Sequence, residues 1–211
     1  MPDKEILVVA TGLPTRLADA TRPATIISEG DLRDVQGADI TRIVQRLPGV
    51  VASRNGGIGG LTSLFVRGAS SDELLVLVDG VRVNDVSSPG GGFDFGSLAL
   101  GQVEQVELLR GSNSVVWGSD ALGGVMNLTS QRHDGIAASA EYGGEERLTL
   151  GASGGLSGAI GNIALNAGYI EEEGFSSFDG GAEADGFEQF YLTGRGRLAV
   201  SDNFAVVANA R

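Results

Sequence analysis

The chain has 211 residues, a formal net charge of −12 and no cysteine, so disulfide bonds, thiolate metal sites and cysteine nucleophiles are excluded. Its Lys and Arg residues form no basic patch, which argues against nucleic acid as a partner, because phosphate binding depends on clustered cations. The 34 glycines exceed the share of an average domain and indicate many turns and close backbone contacts.

The N-terminal segment begins with a short β-branched run at 5–11, which is typical of a strand. Glycine and proline residues then keep the chain extended up to residue 23. Thr25–Ile27 predicts the next strand. Ser28 followed by Asp31 approximates a capping box at the start of a helix, with Asp in place of the usual Glu or Gln.

A second helix is predicted to start at Asp39, a good N-cap residue, and to end at Pro48–Gly49. Its apolar residues recur at i, i+3, i+4 and i+7 and define one buried face: Ile40, Ile43, Val44 and Leu47. The glycine-rich loop 53–60 follows. Its glycines lack the G-x-G-x-x-G spacing and no βαβ unit surrounds them, so the loop does not indicate a nucleotide site.

Further strands are predicted at four apolar runs: 64–68, 74–78, 81–83 and 103–109. Asp79–Gly80 joins the second and third runs as a hairpin, because both central positions of a type I′ turn need positive φ. A second glycine-rich loop at 87–96 and one helical turn at 98–102 are predicted before the fourth run. Together these elements form a compact α+β unit over residues 20–132.

The composition changes after His133, where alternating polar and apolar residues replace the helix signals. The alternation is clearest in four segments: 147–153, 162–169, 190–199 and 204–210. Period-2 segments of about ten residues, apolar on the outer face and polar on the inner face, are typical of membrane β-barrel strands. A soluble antiparallel sheet with one wet face has the same periodicity, so the pattern alone leaves both open.

The run 106–128 is the most informative stretch for the protein family. In it an apolar strand ends in Arg-Gly, and a small-residue loop that contains Trp117 follows. A Gly-Gly pair then precedes another apolar run. The order of motifs resembles the plug domain of TonB-dependent outer-membrane receptors, the gated transporters for iron chelates and vitamin B12. The motifs that carry the resemblance are Leu47–Val50, Phe65–Gly68, Val76–Arg82, Arg110–Gly111 and Gly118–Leu128.

The resemblance implies three regions. Residues 1–19 would be a TonB box and an extended N-terminal segment, and 20–132 an α+β plug domain with a small mixed sheet and short helices. Residues 133–211 would be the first antiparallel strands, about five, of an incomplete outer-membrane β-barrel. Receptors of this kind have about 22 strands, so we expect an N-terminal fragment that cannot transport alone. No apolar signal region follows Met1–Lys4, and we expect the export signal to be missing from this sequence.

The resemblance also implies partners and a location. The family's TonB box is a disordered strand that pairs with TonB, the periplasmic energy-coupling protein, by β-augmentation. In this sequence the box corresponds to Ile6, Leu7, Val8, Val9 and Ala10. The full-length protein is expected to be a monomer in the Gram-negative outer membrane, in contact with its lipid, and to be a transporter rather than an enzyme.

The substrate is the least determined property. Asn55–Gly57, Leu61–Thr62 and the run from Trp117 resemble the vitamin B12 (cobalamin) receptor branch, with ferric siderophores or haem as the alternative. The resemblance places apical, substrate-facing loops at Ser53–Thr62 and Asn84–Gly96. The predicted substrate contacts are Asn55, Gly57, Leu61, Thr62, Pro89 and Gly90. A glycine-rich, β-rich surface interaction protein is the alternative from another class; it predicts an internal repeat, and no fixed period is found.

Two further predictions concern charged residues. In the family, plug arginines pair with barrel glutamates, which assigns a plug–barrel lock to Arg67 and Arg110, with Glu107 as a partner within this chain. No covalently bound cofactor is expected. The acidic C-terminal third offers a candidate Ca²⁺ site, because Ca²⁺ takes six to eight oxygen ligands; its predicted ligands are Asp179, Glu183 and Asp185. A solvated acidic loop surface is the alternative.

Overall fold

The computed structural model describes residues 7–8, 15–16, 24–35, 40–83, 91–99, 103–132, 134–176, 184–201 and 204–210. Its first strands are β1 (Leu7–Val8), β2 (Thr15–Arg16), β3 (Ala24–Ile27), β4 (Val50–Arg54), β5 (Thr62–Val66), β6 (Leu74–Val78), β7 (Val81–Arg82), β8 (Val103–Arg110) and β9 (Gly124–Ser130). Three short helices accompany them: α1 (Glu29–Arg33), α2 (Ile40–Val44) and α3 (Ser114–Trp117). The remaining strands are β10 (Gly135–Tyr142), β11 (Leu148–Gly158), β12 (Gly161–Glu172), β13 (Phe187–Ser201) and β14 (Phe204–Ala210).

A five-stranded mixed sheet organises the first part of the chain, in the order β3-β8-β9-β6-β7. Strands β6 and β9 run parallel and the other pairs antiparallel, while β4 and β5 form a separate hairpin. The apolar stripe of α2 is buried on one face of this sheet, as predicted. Burial of each such aliphatic side chain contributes about 1.5–3 kcal/mol, so the stripe fixes where the short helix packs. We call this part the mixed-sheet unit.

The turn between β6 and β7 has the conformation that its sequence predicts. Asp79 has φ 52° and Gly80 has φ 80°, so both central residues lie in the left-handed region that a type I′ turn requires. Of the predicted helical turn at 98–102, Leu98 and Ala99 are described and are not helical, and residues 100–102 lie outside the described residues. A 3-10 turn precedes this segment, at Phe95–Ser97. Asp94 determines this start, since its side chain accepts a hydrogen bond from the Gly96 amide.

The five strands β10 to β14 form a second sheet, in which each strand pairs antiparallel with the next. The strand number matches the prediction, and the sheet is open between the edges β10 and β14. Its faces alternate as predicted: Leu165 is 54% exposed and the adjacent Asn166 only 4%. The outer face is apolar, and the inner face turns toward the mixed-sheet unit both polar side chains, such as Asn166 and Thr193, and apolar ones, such as Ile170 and Tyr191. We call this second sheet the wall.

Among the described residues, no helix is long and apolar enough to span a membrane.

The start of α1 confirms the predicted pairing of Ser28 with Asp31. The Ser28 hydroxyl and backbone N–H both donate to Asp31 Oδ2, at 2.6 and 3.0 Å. These bonds, that from the hydroxyl first, hold the pKa of the Asp31 carboxyl below its usual value, because they stabilise the ionised form.

This lowered pKa makes the stability of α1 depend on pH. Since the folded pKa is depressed, the contribution of Asp31 is fully present above about pH 4 and is lost as the pH falls through the folded value. The protection factor of the Leu32 amide, which donates to Ser28 O, should therefore fall on acidification, as hydrogen exchange would measure. Asp31→Asn should remove this dependence and the matched Asp34→Asn should retain it. Equal protection of the wild-type amide at about pH 6 and about pH 2 would contradict the assignment.

Candidate functional site

The two glycine-rich apical loops are joined by one carboxylate. Asp94 Oδ1 accepts hydrogen bonds from the Thr62 and Gly96 amides, both at 2.8 Å. The loops also touch through their backbones, because a Cβ on Gly96 would lie 2.1 Å from the carbonyl oxygen of Gly60. The sequence analysis did not identify Asp94, although its place as the N-cap of a short turn could have indicated its role. The described parts of the two loops therefore form one connected surface.

The predicted substrate contacts fall into different environments. Asn55 and Leu61 are exposed and Gly57 is half-buried. Thr62 is 0% exposed, and its hydroxyl donates to Gly60 O at 2.8 Å and accepts from Arg54 Nε at 3.0 Å. These bonds brace the loop from inside, and a substrate contact by Thr62 stays a prediction. Pro89 and Gly90 lie outside the described residues.

The apical loops rest against one end of the wall. Gly59 has φ +80°, and a Cβ there would lie 2.0 Å from the Phe187 ring, so the ring packs directly on the glycine backbone. Gln189 Nε2 donates to Ser97 O at 2.7 Å. The remaining space between loop and wall measures about 20 Å³, which holds about one water molecule. A bulky ligand does not fit in this crevice. The exposed surface of the apical loops above it is the remaining place where such a ligand could bind.

Removing the Asp94 carboxylate should loosen both apical loops together. Asp94→Ala should raise the hydrogen-exchange rates of the Thr62 and Gly96 amides about tenfold or more, because each amide loses a charged acceptor. Asp94→Asn is the matched control, since it retains an oxygen acceptor and should keep most of the protection. Equal protection in the alanine variant and the wild type would show that the carboxylate does not hold the loops.

The two predicted lock arginines both lie at the turn formed by Pro48 and Gly49, where the Arg67 backbone N–H donates to Gly49 O at 2.8 Å. Arg110 donates to Pro48 O at 3.1 Å and to Thr25 Oγ1 at 2.7 Å, and its buried Nε has no hydrogen-bond partner among the described residues. Arg67 is exposed, with φ 53° after β5.

Glu107 is 1% exposed and accepts from Gln105 Nε2 at 2.8 Å and Asn127 Nδ2 at 3.4 Å. The pairing of Glu107 with Arg67 or Arg110 stays a prediction. Residues 107 and 110 lie on opposite faces of β8 because side chains alternate along a strand.

A different ion pair joins the mixed-sheet unit to the wall. Arg195 Nη1 lies 2.5 Å from Asp79 Oδ1, at the turn between β6 and β7. Nearby, Asn166 Nδ2 on β12 donates to Gln131 O at 3.1 Å. The sequence predicted Asp79 only as a turn residue and Arg195 only as a polar residue of an alternating strand. Period and turn signals do not show which distant residues meet, so neither was identified as a contact.

The N-terminal strand and the acidic loop are only partly described. Leu7 and Val8 form β1, which pairs antiparallel with Thr15 and Arg16, so the expectation of a disordered strand is corrected for these two residues. The other predicted box residues, Ile6, Val9 and Ala10, lie outside the described residues.

The predicted Ca²⁺ ligands Asp179 and Glu183 also lie outside the described residues, and Asp185 is exposed. Its backbone N–H donates to Phe175 O at 3.3 Å. The described residues contain no group of three His, Cys, Asp or Glu placed to hold a metal ion. The Ca²⁺ site stays a prediction.

A mixed-sheet unit whose loops and turn rest on the inner face of an outwardly apolar wall defines a plug seated against part of a receptor barrel. Residues 16–125 match the TonB-dependent receptor plug domain, and the chain belongs to this family. The family comprises outer-membrane transport receptors and not enzymes. From here on the mixed-sheet unit is called the plug.

The chain is also similar to individual members of this family. It is 32% identical over 211 residues to the vitamin B12 transporter BtuB of Vibrio vulnificus (strain CMCP6), an alignment that covers 98% of this chain and 34% of the relative. The siderophore receptor PirA of Acinetobacter baumannii matches with a TM-score of 0.65 at 23% identity, and the match covers 88% of this chain and 30% of the PirA chain. The siderophore receptor PiuA of the same organism matches with a TM-score of 0.72 at 18% identity, and the match covers 92% of this chain and 26% of the PiuA chain. At these identities the two structures establish the fold, and the chain spans about a third of its curated relative.

Proposed function

We propose that this chain provides the plug and the first wall strands of a TonB-dependent importer of cobalamin in the Gram-negative outer membrane. The choice of cobalamin as substrate rests on the 32% identity to a vitamin B12 transporter over nearly the whole chain. The alternating wall supports the membrane location, because an apolar outer face suits lipid and a polar inner face suits a filled lumen.

In this proposal the ligand binds on the outer surface of the apical loops. Asn55 offers an exposed amide, and Leu61 beside it offers 54% exposed apolar surface. This combination suits a large ligand with amide groups and an apolar body, since binding sites combine apolar area with a few directional polar groups. Because Asp94 ties the two loops together, ligand binding at one loop would shift both.

TonB, the energy-coupling protein, would bind at the N-terminal segment, away from the apical loops. TonB would add a strand to the edge of Leu7–Val8, with Ile6, Val9 and Ala10 extending the pairing. The short pairing of β1 with β2 supports a role as an exchangeable strand, since a ladder of only two residue pairs is easily replaced. No covalent chemistry is required of the chain.

Isothermal titration of the complete receptor with cyanocobalamin and, separately, with a ferric siderophore tests the substrate. Cyanocobalamin should bind, and Asn55→Ala should weaken its binding about five- to tenfold, the value of one hydrogen bond. Asn162→Ala is the matched control, because this exposed asparagine lies at the other end of the wall. Heat from the siderophore alone would move the protein to the iron-chelate branch, and heat from neither ligand would contradict the proposal.

A further inference from the structure

The ion pair between Asp79 and Arg195 connects residues 116 positions apart and joins the plug to the wall. Asp79 lies in the turn that follows β6, and Arg195 lies near the middle of β13. The Asp79 side chain is 4% exposed and that of Arg195 is 23% exposed. A pair this well buried interacts more strongly than a surface pair, because solvent screens it less.

The carboxylate of Asp79 is held in place by the plug itself. Ser130 donates to it twice, from the backbone N–H at 3.0 Å and from Oγ at 2.6 Å. The turn is fixed from its other side, since the Gly80 amide donates to Asn127 Oδ1 at 3.1 Å. Asp79 therefore presents a preorganised negative charge to the wall, and little conformational entropy is lost when the ion pair forms.

The guanidinium of Arg195 is fixed by the wall. Residue 195 shares the inner face of β13 with the buried Tyr191 and Thr193, because alternate residues of a strand point the same way. Its strand is paired on both sides, with Ala164 on β12 and Asn209 on β14. A cation turned toward the plug at this depth needs a counter-charge, and Asp79 provides it.

The surrounding interface is not closely packed. A cavity of about 200 Å³ adjoins the ion pair, lined mainly by apolar side chains that include Val78, Val83 and Leu98. The other polar contacts described between plug and wall, Gln189 to Ser97 O and Asn166 to Gln131 O, use neutral groups. Apolar packing joins plug and wall where Ala99 meets Ile170 and Tyr191, whereas the contact beside this cavity is the charged pair.

We propose that Asp79 and Arg195 form a latch that holds the plug closed against the wall, and that breaking this ion pair is a step in opening the pore. This inference rests on the proposed function as a gated importer. Its polarity is the reverse of the lock that the sequence predicted, because the acid belongs to the plug and the arginine to the wall. Charges suit a contact that must break and re-form, since water entering the gap solvates both groups, whereas exposed apolar surface stays costly.

The test is the electrical conductance of planar lipid bilayers that contain the complete receptor, which needs no knowledge of the substrate. Arg195→Gln should raise the frequency of open-channel events about tenfold, because it leaves Asp79 buried without its counter-charge. Arg195→Lys keeps the charge and should restore most of the closure. Asp79→Asn should match Arg195→Gln, and the double variant should open no more than either single one, because the two residues act through one contact.

Arg82→Gln is the matched control, since Arg82 lies on the same hairpin but pairs with Asp120 within the plug, at 2.8 Å. It should leave conductance unchanged. Wild-type closure in Arg195→Gln, equal opening in Arg195→Lys, or equal opening in Arg82→Gln would overturn the latch. Cyanocobalamin titration of the complete wild-type receptor and of Arg195→Gln separates the two proposals. If neither binds any ligand, the proposed importer fails; if both bind cyanocobalamin while Arg195→Gln stays closed, the latch alone fails.

Discussion

The alternation of side chains along the wall strands determines how the wall and the plug meet. Each residue turned outward, such as Leu165, is followed by one turned inward, such as Asn166. The inward polar groups must then find hydrogen-bond or charge partners, because unsatisfied buried polar groups are costly. The plug supplies partners for Asn166 and Arg195 through the Gln131 carbonyl and the Asp79 carboxylate, whereas Glu172 pairs with Arg147 inside the wall. Outward apolar faces and inward polar contacts are thus two consequences of one pattern.

The plug is organised around two acidic residues with different tasks. Asp94 ties the apical loops to each other through the Thr62 and Gly96 amides, which keeps the proposed ligand surface in one piece. Asp79 connects the sheet of the plug to the wall through Arg195. Both carboxylates also satisfy backbone amides, so each fixes the local backbone as well as a distant contact. A ligand bound to the loops and a force applied at the N-terminal strand would act on the same small plug.

Local patterns predicted the elements well and their contacts poorly. The apolar stripe of α2, the positive φ values at Asp79 and Gly80 and the five wall strands followed from periodicity and turn chemistry. The roles of Asp94 and of Arg195 did not, because these residues meet partners far away in sequence. Residues 107 and 110 lie on opposite faces of β8, since side chains alternate along a strand. The burial of Thr62 was also not visible in the local sequence, because it depends on how the loop returns to Gly60.

Oxygen concentrates in lipid, so its collision rates with nitroxide labels would test whether the apolar outer face of the wall meets lipid and its inner face meets the plug. The labels would be placed singly along residues 161–172 of the complete receptor in a lipid bilayer. High oxygen accessibility is expected at residues 163 and 165 and low accessibility at residues 164, 166 and 170, in line with their exposure. Accessibility without this alternation, or highest at the inward positions, would contradict it.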